Sequence, residues 1–203
     1  SRVGMLDIKV IGIGGIGCAL LPYLARYLQS SGEPARLTLV DGDAFEARNG
    51  DRQAFSELGN KAKVKAMELA RQFEGLSFRA IPEFVTPENV GTVIRSGDVV
   101  FLGVDNHKTR RVVSEHCRRL ADGSLISGGN DYSDGNVQVY VRQAGRDVTS
   151  PLTRFHPEIA EPKDRSPHEM SCDELSQEAA PQLLFTNLAV ASAMLNAFYA
   201  WRL

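Results

Sequence analysis

The chain has 203 residues, 43% hydrophobic and 24% charged, with a formal net charge of −2. That balance is globular and excludes disordered and fibrous classes. It offers no bulk attraction to nucleic acid or anionic lipid, although a local basic cluster can still hold a small phosphate ligand. Cys18, Cys117 and Cys172 are too few and too scattered for a disulfide framework and form no C-x-x-C pair. A four-thiolate zinc site within the chain is therefore excluded, and free thiols suit a reducing cytoplasm. No charged-then-apolar leader opens the sequence. The most apolar stretch, Leu183 to Trp201, carries Thr186, Asn187, Ser192 and Asn196. It reads as a buried helix rather than a membrane span.

Leu6 to Ile13 is a short apolar run ending in glycines, as expected of a buried parallel strand. Helical spacing follows from Cys18 to Gln29. A second strand, Leu37 to Val40, ends at Asp41-Gly42. Lys61 to Phe73 predicts a helix, and Phe78 to Val85 a third strand. Thr86-Pro87-Glu88 reads as a helix start, with a capping hydroxyl, a first-turn proline and an acid at the positive end. Asp98 to Leu102 is a fourth strand, His107 to Leu120 a helix, and Ser124 to Ser127 a fifth strand. The alternation predicts an α/β fold with a mainly parallel sheet. After residue 130 the pattern changes. Val137, Val139 and Val141 alternate with polar residues, predicting a half-exposed strand. Ser150 to Pro181 is polar and proline-rich without a period, and reads as a long loop, functional or a plain linker. The last helix is expected to bury Leu184, Leu188, Ala191, Leu195 and Phe198. No internal repeat or second domain is visible.

Gly12-Ile13-Gly14-Gly15-Ile16-Gly17 lies between the first strand and the first helix. It is G-x-G-x-x-G with an additional Gly15. Glycines let backbone approach a phosphate, and the helix start offers unpaired N–H groups and a positive dipole. A tight turn that binds nothing is the alternative, but the strand–helix–strand context favours a nucleotide and a Rossmann-like three-layer fold. Asp41, at the end of the second strand, suits ribose hydroxyls. Asp43 is the second acid of the same turn, and a plain turn-forming role stays open for both.

Beyond Asp41, the chain has Arg48-Asn49-Gly50-Asp51-Arg52-Gln53 and Gly59-Asn60-Lys61-Ala62-Lys63-Val64-Lys65. A dehydrogenase does not need so many cations there, whereas a triphosphate does. A solvated helix face accounts for at least one of the three lysines. The glycine loop, Asp41, Asn49-x-x-Arg52-Gln53, Asn60-Lys61-Ala62, Asp105-Asn106, Gly128-Gly129 and Gly135-Asn136-Val137-Gln138-Val139 together resemble the ThiF/MoeB/HesA family. The resemblance covers roughly residues 8 to 141 and, more loosely, the last helix. The Pro-Gln-x-x-x-Thr-Asn start of that helix is similar to the branch of the family encoded in plasmid-borne PRTRC operons.

The resemblance implies one adenylation domain over 1–203, with a crossover-like loop at about 150–181, an antiparallel extension after residue 130 and a C-terminal helix. It implies an ATP-dependent enzyme that activates the C-terminal carboxylate of a ubiquitin-like or sulfur-carrier protein. Asn49 and Arg52 are then expected on the triphosphate, with Arg48 and Gln53 beside them. Lys61 matches the family's lysine, and Lys63 and Lys65 stay open because the preceding loop is short. Asp105 is expected to hold magnesium, with Asn106 next to it; the alternative for Asp105 is a helix N-cap. Cys172 stays open between an acceptor thiol and an incidental cysteine, since Asp173 and Glu174 oppose a thiolate. Cys18 and Cys117 read as packing residues, and the spacing of His156, His168 and Cys172 matches no common metal site. Family members pair as dimers, and the apolar excess of the last helix, with Phe185, Met194, Tyr199 and Trp201 outside its stripe, agrees with a homodimer. Departures remain: the two C-x-x-C zinc pairs of many relatives are missing, only Arg2 precedes the first strand, and Asp51 adds negative charge. An NAD-dependent oxidoreductase and a catalytically weak nucleotide-binding module are the two other readings.

Overall fold

The computed structural model describes residues 4–47, 50–51, 53–130, 133–170 and 183–202. Five parallel strands form the body of the sheet: β1 (Leu6–Ile11), β2 (Ala35–Val40), β5 (Ser77–Ile81), β6 (Val99–Leu102) and β7 (Gly123–Asn130). Two antiparallel strands extend it, β8 (Gly135–Gln143) and β9 (Arg146–Asp147), giving the order β5-β2-β1-β6-β7-β8-β9. A separate short pair, β3 (Ala44–Phe45) and β4 (Gly59–Asn60), closes the loop in front of the second helix. The helices are α1 (Gly15–Ser31), α2 (Lys61–Gln72), α3 (Val90–Val93), α4 (His107–Cys117), α5 (Pro157–Ala160) and α6 (Leu184–Arg202).

Strand alternation divides the core between the two faces of the sheet. Ile8, Val10 and Phe101 face α1, α2 and α6, where Leu21, Leu24, Leu69, Met194 and Phe198 fill the layer. Ile11, Val100 and Leu102 face the opposite side with Val93, Val113 and Cys117. Leu152 and Ile159 join this second layer, so the segment from 150 to 170 is a strap anchored on α4 rather than a featureless linker. Its two apolar anchors sit seven residues apart between prolines, too sparse to produce a period.

The third strand stops at Ile81, short of the expected Val85. Thr86 opens a turn rather than the expected helix, and the single-turn α3 begins only at Val90 with Asn89 at its N-cap. Thr86 Oγ1 accepts the Asn89 N–H at 3.3 Å, and Asn89 Oδ1 accepts the Thr86 N–H at 2.8 Å. The last helix buries Ala191 and Phe198 of the expected stripe and half-buries Leu195, but its buried face is rotated away from Leu184 and Leu188. Thr186, Asn187, Val190, Ala191, Met194 and Phe198 are buried, whereas Leu184 and Leu188 are exposed. A helix apolar on most sides does not select its own face. Here the sheet selects it: a Cβ at Gly128 would lie 2.3 Å from Met194 Sδ, and one at Gly135 would lie 2.3 Å from Val190 Cγ2. Asn187 Oδ1 also accepts Asn130 Nδ2 at 2.7 Å, which fixes the register of α6 on β7. Among the described residues no helix is long and apolar enough to cross a membrane.

Candidate active site

The order of the sheet reverses between β1 and β6, and the loops leaving their C-terminal ends border the crevice where such folds take ligands. Gly12 leaves β1 with φ +89°, a conformation that favours glycine. A Cβ there would meet Gly103 and Val104 backbone at 2.9 Å, so the glycine loop and the β6–α4 loop pack backbone to backbone. Gly14 is the N-cap of α1 and supplies no side-chain cap, while Gly15 and Gly17 are buried in its first turn. A Cβ on Gly17 would fall 2.4 Å from Gly12 O. The first amides of this 17-residue helix therefore stay open to an anionic ligand.

Asp41 follows β2 and ties the loop down: Oδ2 accepts the Ile13 N–H at 2.6 Å and Oδ1 accepts the Asp43 N–H at 2.9 Å. Burial pushes its carboxyl up to about 6, against the opposing pull of Lys61 and the two amides. Each oxygen keeps a lone pair for a ribose hydroxyl. Asn60 braces the turn through Nδ2, which donates to the Asp41 and Asp43 carbonyls at 2.9 and 3.1 Å. The Phe84 ring lies against Gly42, an apolar face next to Asp41.

The three lysines separate cleanly. Lys61, the first residue of α2, is buried and its Nζ lies 2.6 Å from Asp43 Oδ2, beside Asp41. Lys63 is exposed. Lys65 turns away: its Nζ donates to the Ala54 carbonyl, lies 2.6 Å from Glu68 Oε2 and stands 4.5 Å over the Phe55 ring. Phe45, Gln53, Phe55, Lys65 and Glu68 line a cleft of about 500 Å³. Gln53 also reaches the glycine loop, its Nε2 lying 4.0 Å from where a Gly14 Cβ would be. Arg48, Asn49, Arg52 and Cys172 lie outside the described residues. Cys18 and Cys117 are buried, and burial pushes their thiols up to about 11 and about 12, as inert packing groups require.

Asp105 is exposed on the β6–α4 loop, and it does not cap α4. The cap is Asn106, whose Oδ1 accepts the Thr109 N–H at 2.8 Å. The carboxylate of Asp105 is thus left to solvent or a ligand. Two buried polar atoms, Asn106 Nδ2 and Gln53 Oε1, have no hydrogen-bond partner among the described residues. A waiting donor and an uncapped helix start suit phosphate oxygens. One carboxylate suits Mg²⁺, which completes its shell with substrate phosphates and water. Among the described residues no three His, Cys, Asp or Glu side chains gather to hold a metal alone. The donor set therefore fits Mg–ATP.

Several neighbours of the site escape a reading of the sequence. Asp164 accepts the His107 and Lys108 N–H groups at 2.6 and 3.1 Å. Lys108 Nζ holds Glu169 at 2.5 and 2.6 Å. Arg110 is buried against Gly129 and donates to the Val104 carbonyl at 2.8 Å. A basic residue one turn beyond the Asn106 cap was the only local signal for it.

Residues 2–195 match the ThiF family. A tRNA threonylcarbamoyladenosine dehydratase of Haemophilus influenzae is 28% identical over 157 residues, 75% of this chain and 58% of that protein. Adenylyltransferase and sulfurtransferase MOCS3 of Bos taurus is 34% identical over 143 residues, 68% of this chain and 30% of that protein. E. coli MccB crystallised with ATP superposes with a TM-score of 0.69 at 19% identity, covering 92% of this chain and 52% of MccB, and it shares the fold. The chain thus spans between about a third and somewhat over half of these relatives. With the glycine loop, Asp41, Lys61 and Asp105 on one crevice of that fold and a match across nearly its whole length, the chain belongs to the ThiF family.

Proposed function

We propose that this chain is an ATP-dependent adenylyltransferase that activates the C-terminal carboxylate of a ubiquitin-like or sulfur-carrier protein. The observation that carries this reading is the joining of three parts. Asp41 holds the Ile13 amide of the glycine loop, and Gly12 packs on the loop that leads to Asp105. A ribose acid, a phosphate loop and a magnesium acid thereby share one crevice. The MOCS3 relative is named an adenylyltransferase, and MccB has been crystallised with ATP. The whole of 1–203 acts in this proposal as one adenylation domain, with the strap as its crossover.

The substrate carboxylate oxygen attacks the α-phosphorus of ATP. A new oxygen–phosphorus bond forms while the bond to the bridging oxygen breaks, so an acyl-adenylate and pyrophosphate result. The nucleophile is already ionised, so no general base is required, and the protein's work is positioning and charge neutralisation. The amides of α1 hold phosphate oxygens, Asp41 orients the ribose and Lys61 faces the polyphosphate. Arg52, with Arg48, Asn49 and Gln53, is assigned to the leaving pyrophosphate, and Asn106 Nδ2 to a phosphate oxygen. Magnesium, held by Asp105, supplies Lewis-acid charge compensation on the phosphates. Cys172 is proposed as an optional acceptor of the activated acyl group.

We also propose a cytoplasmic, symmetric homodimer. Leu184, Phe185, Leu188 and Tyr199 stand exposed on α6, and Tyr23 and Tyr27 on α1. A patch of that kind usually has an occupant. Light scattering tests this: a monomer that performs exchange removes the dimer.

Pyrophosphate exchange with purified small carrier proteins tests the activity. Exchange should need Mg²⁺ and a free C-terminal carboxylate, and Arg52→Ala should abolish it. Micromolar NADH binding without Mg–ATP binding would favour a dehydrogenase instead. Tight ATP binding with no exchange against any carrier would reduce the chain to a binding module.

A further inference from the structure

The loop that carries Asp105 is pinned on both sides. Before it, the Gly103 N–H donates to the Ile11 carbonyl at 2.9 Å, and Arg110 Nη2 holds the Val104 carbonyl at 2.8 Å. After it, Asn106 caps Thr109. That leaves the His107 and Lys108 amides, the first two of α4, which no residue nearby in sequence satisfies. The Asp164 carboxylate takes both, from 57 and 56 residues away. Lys108 is gripped twice, by its amide on Asp164 and by its ammonium on Glu169. Glu169 in turn accepts the Ser166 N–H at 3.0 Å, which closes the strap on itself. The buried Leu152 and Ile159 anchor the other end of the strap under α4.

We infer that Asp164 is a positioning residue that fixes the orientation of the Asp105 carboxylate, and that the Lys108–Glu169 pair holds it in place. This rests on the proposed role of Asp105 as the magnesium ligand. With Asp164 absent, two helix-start amides face solvent, the first turn of α4 frays and the Asp105 loop loses its C-terminal anchor. A ligand's supporting contacts govern metal affinity nearly as strongly as the ligand does. The contact also brings a negative charge to the start of α4, where the helix dipole favours it. The strap, otherwise unconnected to the crevice, thereby acts on how the crevice holds its metal.

The test uses the full chain and calorimetric ATP binding, once with EDTA and once with excess Mg²⁺. Asp164→Ala should leave metal-free ATP binding unchanged and weaken Mg–ATP binding by about ten-fold. Asp164→Asn keeps one acceptor and should recover part of that loss. Glu169→Ala, which spares the cap, should show a smaller loss of the same kind and serves where Asp164→Ala does not fold. Hydrogen exchange at His107 and Lys108 should quicken in Asp164→Ala. Asp105→Asn is the reference. If it keeps the full Mg²⁺ advantage, the metal assignment of Asp105 fails independently of Asp164. If it loses that advantage while Asp164→Ala and Glu169→Ala keep theirs, the positioning role is overturned. Equal weakening of metal-free and Mg–ATP binding in Asp164→Ala overturns it as well.

Discussion

Gly17→Ala is the sharpest test of the phosphate loop. The added methyl would sit 2.4 Å from Gly12 O. Carbon and carbonyl oxygen settle at about 3.3 Å, so roughly 0.9 Å must be found. Gly12 cannot yield it, because its N–H is tied to the Val40 carbonyl at 3.0 Å and it packs on Gly103. The start of α1 must move instead. Overpacking against fixed backbone costs about 3 kcal/mol, and alanine returns about 1 kcal/mol as the better helix former. The net of about 2 kcal/mol should lower Tm by about 4–8 °C in a chain of this size. A displacement near 1 Å at the phosphate amides should cut the exchange rate by about a hundred-fold. Gly32→Ala is the matched comparison: φ is +68°, nothing lies within 4 Å, and the site is at the far end of α1. It should cost about 1–2 kcal/mol through backbone strain alone and leave ATP binding intact. Thermal denaturation and ATP calorimetry on both variants decide the matter. If Gly17→Ala binds ATP as tightly as Gly32→Ala does, the close approach of loop and helix is irrelevant to the nucleotide.

Adenosine, which has no phosphate to titrate, should bind more tightly as pH rises through about 6, because Asp41 ionises there, and Asp41→Asn should flatten that profile. The unliganded fold runs the other way: the raised carboxyl contributes stability that is full below its unfolded range and lost as pH climbs through about 6, measurable as a falling Tm. Lys61→Met should cut pyrophosphate exchange by about a hundred-fold or more. Lys65→Met, which strands Glu68, should instead cost up to about 3 kcal/mol in urea denaturation with exchange largely kept; the reverse pattern would reassign the lysine. Phe198→Ala, which empties the contact with Phe101 at 5.4 Å, should cost about 4 kcal/mol by the same measurement, and a loss under about 1 kcal/mol would contradict the buried face of α6.

What the sequence reveals is what is local. The strand before the glycine loop, the loop itself and the acid after β2 follow one another between Leu6 and Asp41, and each has its own pattern. The β3–β4 pair has only two residues a side, below any period. The choice among Lys61, Lys63 and Lys65 needs the direction of α2, which Asn60 sets by capping Lys63 at 3.0 Å. The face of α6 is decided by two glycines on two other elements, Gly128 of β7 and Gly135 of β8. Asp164 is the extreme case: a carboxylate serving amides 57 residues upstream leaves no trace in its own neighbourhood.

The far margin of the sheet has a consequence for how copies can meet. β8 turns back through Ala144 and Gly145, both at positive φ, into a β9 of only two residues. Those residues are the exposed charges Arg146 and Asp147, and Arg142 and Tyr140 engage Asp147. β9 covers β8 only at Arg142 and Gln143, and there its charged pair blunts the margin against another strand. That end of the margin therefore resists growth into a continuous intermolecular sheet, the usual route to fibrous aggregates.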